Sequence, residues 1–203
     1  FGALWGSFWN VCIARVPAGK SVVRPGSHCF ACGKPVRAWD NVPLLSYFLL
    51  RGRCRHCGAR FSPRYLMVEI VGAVAALALW QVFVASVPDV PPGLRLARWV
   101  LYFAFVGVLV VLSFIDLDTK RLPDKITLPS IPIFFAAAFG PGDVPWLERG
   151  IGVVGGYLCV RLIGDAYYYL RGREGLGLGD AKLLALMGAV LGWKALLPIV
   201  FTA

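Results

Sequence analysis

Charge is scarce in this 203-residue chain: Asp and Glu number 11, Lys and Arg 21, and together they make up only 16%. A soluble domain is typically about 25% charged, so the shortfall excludes an ordinary water-soluble globule. The chain has no internal repeat, no low-complexity tract and no glycine-rich nucleotide fingerprint. Its N-terminal apolar stretch has neither a basic leading region nor a small-residue cleavage site, which excludes a secretory signal peptide. The net charge of +10 is accompanied by no basic helix and no aromatic RNA-binding motif, so nucleic acid is excluded as a partner. No inverted symmetry relates the two halves, which argues against a proton-coupled transporter.

What the chain does have is apolar length. The hydrophobic share is 58% and the mean hydropathy is +0.69. Apolar runs lie near 66–88, 97–116, 126–139, 146–170 and 181–203, and a spanning helix needs about 20 such residues. The opening run, FGALWGSFWNVCIA, has 14 residues before Arg15 and no initiator Met, so it reads as a first spanning segment cut short. The 126–139 run is short and carries Pro129 and Pro132, which leaves its ends open. The expected fold class is an all-α polytopic transmembrane helix bundle of about six segments, with a small loop domain inserted after the first.

Basic residues choose the sidedness. Ten Lys and Arg lie between Arg15 and Arg64, against the single acid Asp40. Lys120, Arg121 and Lys125 mark a second turn, and Arg171, Arg173 and Lys182 a third, while the intervening loops hold only Arg95, Arg98 and Arg149. Positive charge favours the cytoplasmic side, so these three regions are expected there, close to anionic lipid headgroups.

The basic loop holds HCFACG and RCRHCG, which place Cys29, Cys32, Cys54 and Cys57 in two C-x2-C knuckles separated by 21 residues. Two such knuckles can close a tetrahedral thiolate cage on zinc, each with a glycine behind its second cysteine to turn the chain. A disulfide pair is the alternative, and it would require an oxidising compartment, against the charge distribution. Four thiolates leave no open coordination position, so the zinc would be structural. His28 and His56 adjoin the ligands but are redundant, and Cys12 and Cys159 lie in apolar runs as expected buried residues.

Two acidic segments stand out. SFIDLDTKRLPD closes an apolar run at Asp116, with Asp118 and Asp124 beyond, and GLGLGD brings Asp180 to the start of another. Carboxylates at matching depth on two helices suit aspartyl proteolysis, because a close pair holds one proton between its members. The ionised member takes a proton from water, and the protonated member polarises the scissile carbonyl. The glycines at 175, 177 and 179 would let the backbone bend and a peptide approach. Three other readings stay open here: Asp180 as a helix cap, Asp116 as a snorkelling helix-end charge, and an ion or proton pathway.

In order along the chain, GSFWNVCIARVP, the paired knuckles with DNVPLLSYFLLRGRC between them, FIDLDTKRLPD and GLGLGDAKLLALMGAVLGW resemble the bacterial prepilin peptidases, or type IV leader peptidases. RYLMVEI departs from the family by lacking a proline after its Tyr, and the chain lacks the start of the first helix and the family's additional C-terminal helices. The resemblance implies a membrane-embedded aspartyl protease with Asp116 and Asp180 catalytic and Asp118 and Asp124 supporting. It implies cleavage of leaders from type IV prepilins and type II secretion pseudopilins at the cytoplasmic face of the bacterial inner membrane. N-methylation of the new amino terminus, with S-adenosylmethionine as donor, is implied as well. The expected division is 1–14 first transmembrane segment, 15–65 cytoplasmic zinc-binding domain and 66–203 transmembrane peptidase domain. Basic leaders would be received by acids such as Asp40 or Glu174. The alternative is a non-catalytic membrane scaffold that docks partners through its zinc loop.

Overall fold

The computed structural model describes residues 1–172 and 177–202. It is helical, with α1 Gly2–Arg15, α2 Leu45–Leu49, α3 Pro63–Trp80, α4 Pro92–Thr119, α5 Asp124–Ala137, α6 Trp146–Arg171, α7 Leu178–Leu191 and α8 Trp193–Thr202. A short 3₁₀ turn occupies Ala38–Asn41, and a π-helical turn, Gln81–Ala85, continues α3. Among the described residues there is no β-strand, only the isolated bridges His28–Pro35 and Arg53–Arg60. Among the described residues two helices are long and apolar enough to cross a membrane: Pro63–Ala85, 23 residues, and Pro92–Thr119, 28 residues.

The chain divides into two compact units. The first comprises Phe1–Pro91 and Tyr102–Asp118. Its centre is the antiparallel pair of α1 and α3, and close approach is possible because small residues face each other. A Cβ at Gly6 would come 2.7 Å from the Glu69 Cα, and one at Gly72 would come 2.6 Å from the Gly2 carbonyl oxygen. Apolar solvent between helices provides no driving force for association, so such close packing has to supply it. Asn10 extends the seam by donating to the Tyr65 carbonyl at 2.9 Å. Trp9 lies over Gly107 of α4, and Phe83 stacks on Tyr102 with ring centroids 4.5 Å apart.

Arg64 fastens the start of α3 to the end of α4. It donates to the Asp118 carboxylate at 2.5 Å and the Phe114 carbonyl at 2.9 Å, and lies over the Phe114 ring. The basic loop leaves and rejoins the helices at this same end of the unit, after Arg15 and before Pro63.

The second unit comprises Pro92–Leu101 and Thr119–Ala203. The antiparallel pair α6 and α7 meets at Gly152 and Gly188: a Cβ at Gly152 would lie 2.8 Å from the Gly188 carbonyl oxygen. Gly156, one turn on, would clash at 3.0 Å with the Leu184 carbonyl oxygen. Gly152→Leu is therefore expected to destabilise the protein by about 1–3 kcal/mol through overpacking. Gly155→Leu on the same helix, where a Cβ meets nothing within 4 Å, should leave the thermal midpoint in detergent nearly unchanged.

The continuous apolar run expected over 181–203 is broken. Gly192, at φ 74° and ψ 172°, ends α7, and α8 restarts at Trp193. Lys194 then ties α8 to α6 through Glu148 at 2.7 Å. In α5 both Pro129 and Pro132 lie inside the helix. The buried hydroxyls of Thr127 and Ser130 bond back to the carbonyls four residues earlier, a back-bonding that bends helices. Cys159 is exposed on α6, contrary to the buried position expected for it.

Candidate active site and metal centre

Each knuckle is a tight hairpin written by its glycine. Cys29 N–H donates to the Lys34 carbonyl and Gly33 N–H to the Cys29 carbonyl, both at 2.9 Å. Cys54 and Gly58 repeat the pattern with Ala59 at 2.8 Å and Cys54 at 2.9 Å. Gly33 and Gly58 adopt φ of 68° and 71°, a region that a Cβ disfavours. The hairpins bring the sulfurs of Cys29, Cys32, Cys54 and Cys57 within 4.8 Å of one another. A tetrahedral zinc with Zn–S bonds of about 2.3 Å spaces its sulfurs about 3.8 Å apart, and the Cys29 and Cys57 sulfurs lie 3.8 Å apart. The donor set and its spacing fit zinc.

The thiols are electrostatically unequal. Backbone N–H groups of Cys32 and Ala31 lower Cys29 to about 6. Cys57 is pushed up to about 11: the Ala59 N–H acts the other way, but desolvation and the hydrogen bonding of its own S–H to the other three cysteine sulfurs outweigh it. His28 and His56 are not members of the cluster.

Asp40 lies beside the cluster, with its carboxylate gripped by Arg55 through Nε at 2.9 Å and Nη2 at 2.6 Å. That guanidinium holds its carboxyl below the usual range. Asp40 is therefore already neutralised, a poor receiver for a basic leader, and Glu174 lies outside the described residues.

Asp116 is exposed near the end of α4 in the first unit, two residues before Asp118 and so on a different face of the helix. Asp180 is exposed in the first turn of α7 in the second. The α7 N-cap is Gly177, and Asp180 is the third helical residue. Asp180 is thus displaced from the capping position. Its neighbour Gly179 touches Leu122, and Lys182 donates to Asp124 at 2.5 Å, so the starts of α5 and α7 are held together. Gly175 lies outside the described residues. Arg64 and Lys182, which had counted only as topological charges in the sequence, thus engage Asp118 and Asp124, and no ion pair holds Asp116 or Asp180 among the described residues.

Residues 1–83 match the family described as Bacterial Peptidase A24 N-terminal domain, and residues 103–203 match the Type IV leader peptidase family. A prepilin leader peptidase/N-methyltransferase of Klebsiella pneumoniae is 37% identical over 96% of this chain and 84% of its own. The chain belongs to the type IV leader peptidase family. A relative of the same description from Neisseria gonorrhoeae is 34% identical over all of this chain and 76% of its own length. The Myxococcus xanthus relative is 38% identical, and this chain spans 57% of it. No solved structure matches. Membership of this aspartic-type peptidase family and the two apolar helices together mark a membrane protein.

Proposed function

We propose that this chain cleaves the leaders of type IV prepilins and type II secretion pseudopilins at the cytoplasmic face of the bacterial inner membrane. Asp116 and Asp180 are the catalytic pair of this proposal. The observation that carries it is the division among the acids: Asp118 and Asp124 are engaged by cations, whereas Asp116 and Asp180 stand at helix ends with no ion pair among the described residues.

In the proposed reaction the pair shares one proton. The ionised carboxylate accepts a proton from water as its oxygen attacks the scissile carbonyl, and the protonated one donates a hydrogen bond to the developing oxyanion. Collapse of the tetrahedral intermediate breaks the C–N bond, and the leaving amine takes a proton from the pair. Six spanning segments serve this chemistry: α1, α3, α4, α5, α6 and α7 with α8. The division is 1–14, 15–65 and 66–203, with the loop on the cytoplasmic side, against lipid and not nucleic acid.

Zinc held by Cys29, Cys32, Cys54 and Cys57 would brace the loop and take no part in hydrolysis. Methylation of the new amino terminus is proposed from the relatives' description as N-methyltransferases. The open cavity beside the first knuckle, about 290 Å³, is lined by Pro25, Gly26, Ser27, His28, Gly33 and Pro35. It offers no acid for ribose hydroxyls, as dinucleotide sites do. No residue is assigned to S-adenosylmethionine, and no step is derived through it.

The test is leader removal from a prepilin by the reconstituted chain, read by mass spectrometry with and without S-adenosylmethionine. An intact prepilin would leave the scaffold reading in its place. Lys182 is a positioning residue in this scheme, since it sets the start of α7 against Asp124. Lys182→Ala is expected to lower kcat at least about tenfold by misplacing Asp180, with KM little changed and Lys182→Arg restoring most of the rate. Stability should fall by less than about 1 kcal/mol, as for other partly exposed ion pairs.

A further inference from the structure

Residues 39–49, between the two knuckles, hold no metal ligand and no proposed catalytic group, yet they turn large apolar side chains outward. Trp39, Val42, Leu45, Phe48 and Leu49 are exposed, Phe48 at 68% and Leu49 at 79%. Leu45, Phe48 and Leu49 follow an i, i+3, i+4 spacing and so share one face of α2. The opposite side is in use: the Tyr47 ring covers Gly52, where a Cβ would meet it at 3.0 Å, and Ser46 donates to the Trp39 carbonyl at 3.1 Å.

The depth of this segment is fixed from within the first unit. Leu44, at φ 65°, donates its N–H to Glu69 Oε2 at 2.8 Å. Glu69 lies six residues into α3, about 9 Å along the axis at 1.5 Å per residue. Its side chain leans back toward the helix start, so the Leu44 backbone lies beside the first turns of α3 and not above them. On the loop's far side the Phe30 ring approaches Tyr65, the third residue of α3, with centroids 6.4 Å apart. Arg37, Arg51 and Arg53 are exposed around the segment, and its one acid, Asp40, is neutralised by Arg55.

We propose that residues 39–49 form an interfacial anchor, lying in the headgroup–acyl boundary of an anionic leaflet. Leu45, Phe48 and Leu49 enter the acyl region, Trp39 sits at headgroup level, and Arg37, Arg51 and Arg53 meet lipid phosphates. Burial of an apolar face by about 5–10 Å is the usual depth of such elements, and it matches the Glu69 tether. The basic rim complements anionic lipid. The inference depends on α3 crossing the bilayer and is independent of peptidase activity.

The test places the intact protein in phosphatidylethanolamine–phosphatidylglycerol vesicles whose acyl chains carry bromine near the headgroup. The Trp39 emission is the difference between wild type and Trp39→Phe. Shallow bromolipid is expected to quench most of that emission and acrylamide little of it. Raising the phosphatidylglycerol fraction should increase the quenching, and joint replacement of Arg37, Arg51 and Arg53 by Gln should remove that dependence. Phe48→Trp, measured against wild type, supplies a second reporter if Trp39→Phe fails to insert, and it should be quenched by bromine set deeper. Quenching by acrylamide alone would place the segment in water, and quenching by neither agent would mean that a protein surface covers it; either result overturns the proposal.

Discussion

Asp116→Asn and Asp180→Asn are each expected to reduce leader removal about 10³-fold or more, as loss of one member of a catalytic unit typically does. Metal content and thermal midpoint should stay close to wild type. The expectation of intact folding is physical. Both side chains are exposed, no ion pair depends on them among the described residues, and Asn has the same shape. The largest structural effect falls on Asp180, whose charge near the α7 N-terminus is worth about 0.3–1 kcal/mol. A helix-capping role predicts only that small loss, with cleavage retained, and a scaffold role predicts no dependence on either charge. Asp118→Asn and Asp124→Asn provide the contrast. Each breaks an ion pair to Arg64 or Lys182 and removes no proposed proton carrier, so each should slow cleavage without abolishing it. A pair sharing one proton should also give a bell-shaped pH dependence that either Asn variant removes. Cleavage at an undiminished rate in one Asn variant would end the two-aspartate scheme.

The helical, membrane-spanning character was legible because it depends on summed hydropathy, which local sequence carries fully. The cysteine cluster was legible for a related reason: a C-x2-C knuckle brings two ligands together within one turn, so spacing is already geometry. The break at Gly192 was hidden inside an unbroken apolar run, since hydropathy does not register a left-handed backbone. Pro129 and Pro132 argued for uncertain ends to a helix that contains both. The helix seams were written as G-x-x-x-G at Gly2 and Gly6 and at Gly152 and Gly156, a spacing that permits close helix approach. Arg64–Asp118 and Lys182–Asp124 span 54 and 58 residues of sequence, and no periodicity could have paired them.

Removing the proposed zinc is expected to unfold the basic loop while leaving the helices in place. Between Arg15 and Pro63 the buried apolar residues are Cys29 and Cys54, and the regular structure is one 3₁₀ turn and the five-residue α2. The loop has almost no core of its own, and the order of its two hairpins centres on the four sulfurs. Structural zinc in such small modules contributes about 10–16 kcal/mol of apparent binding energy near neutral pH, far more than two isolated bridges can supply. Cys29→Ser or Cys54→Ser, or exhaustive chelation, should therefore abolish metal retention and open residues 16–62 to protease, with helix content by circular dichroism nearly unchanged. Acidification should act in the same direction, because protons compete with the metal for each thiolate. Asn10–Tyr65 and the glycine seam of α1 with α3 lie outside the loop and should survive its unfolding. The Leu44–Glu69 tether should not, because Leu44 holds its positive φ only while the surrounding loop over-determines it. A loop that stays protease-resistant after complete chelation would show that lipid or the helices, and not the metal, hold it together.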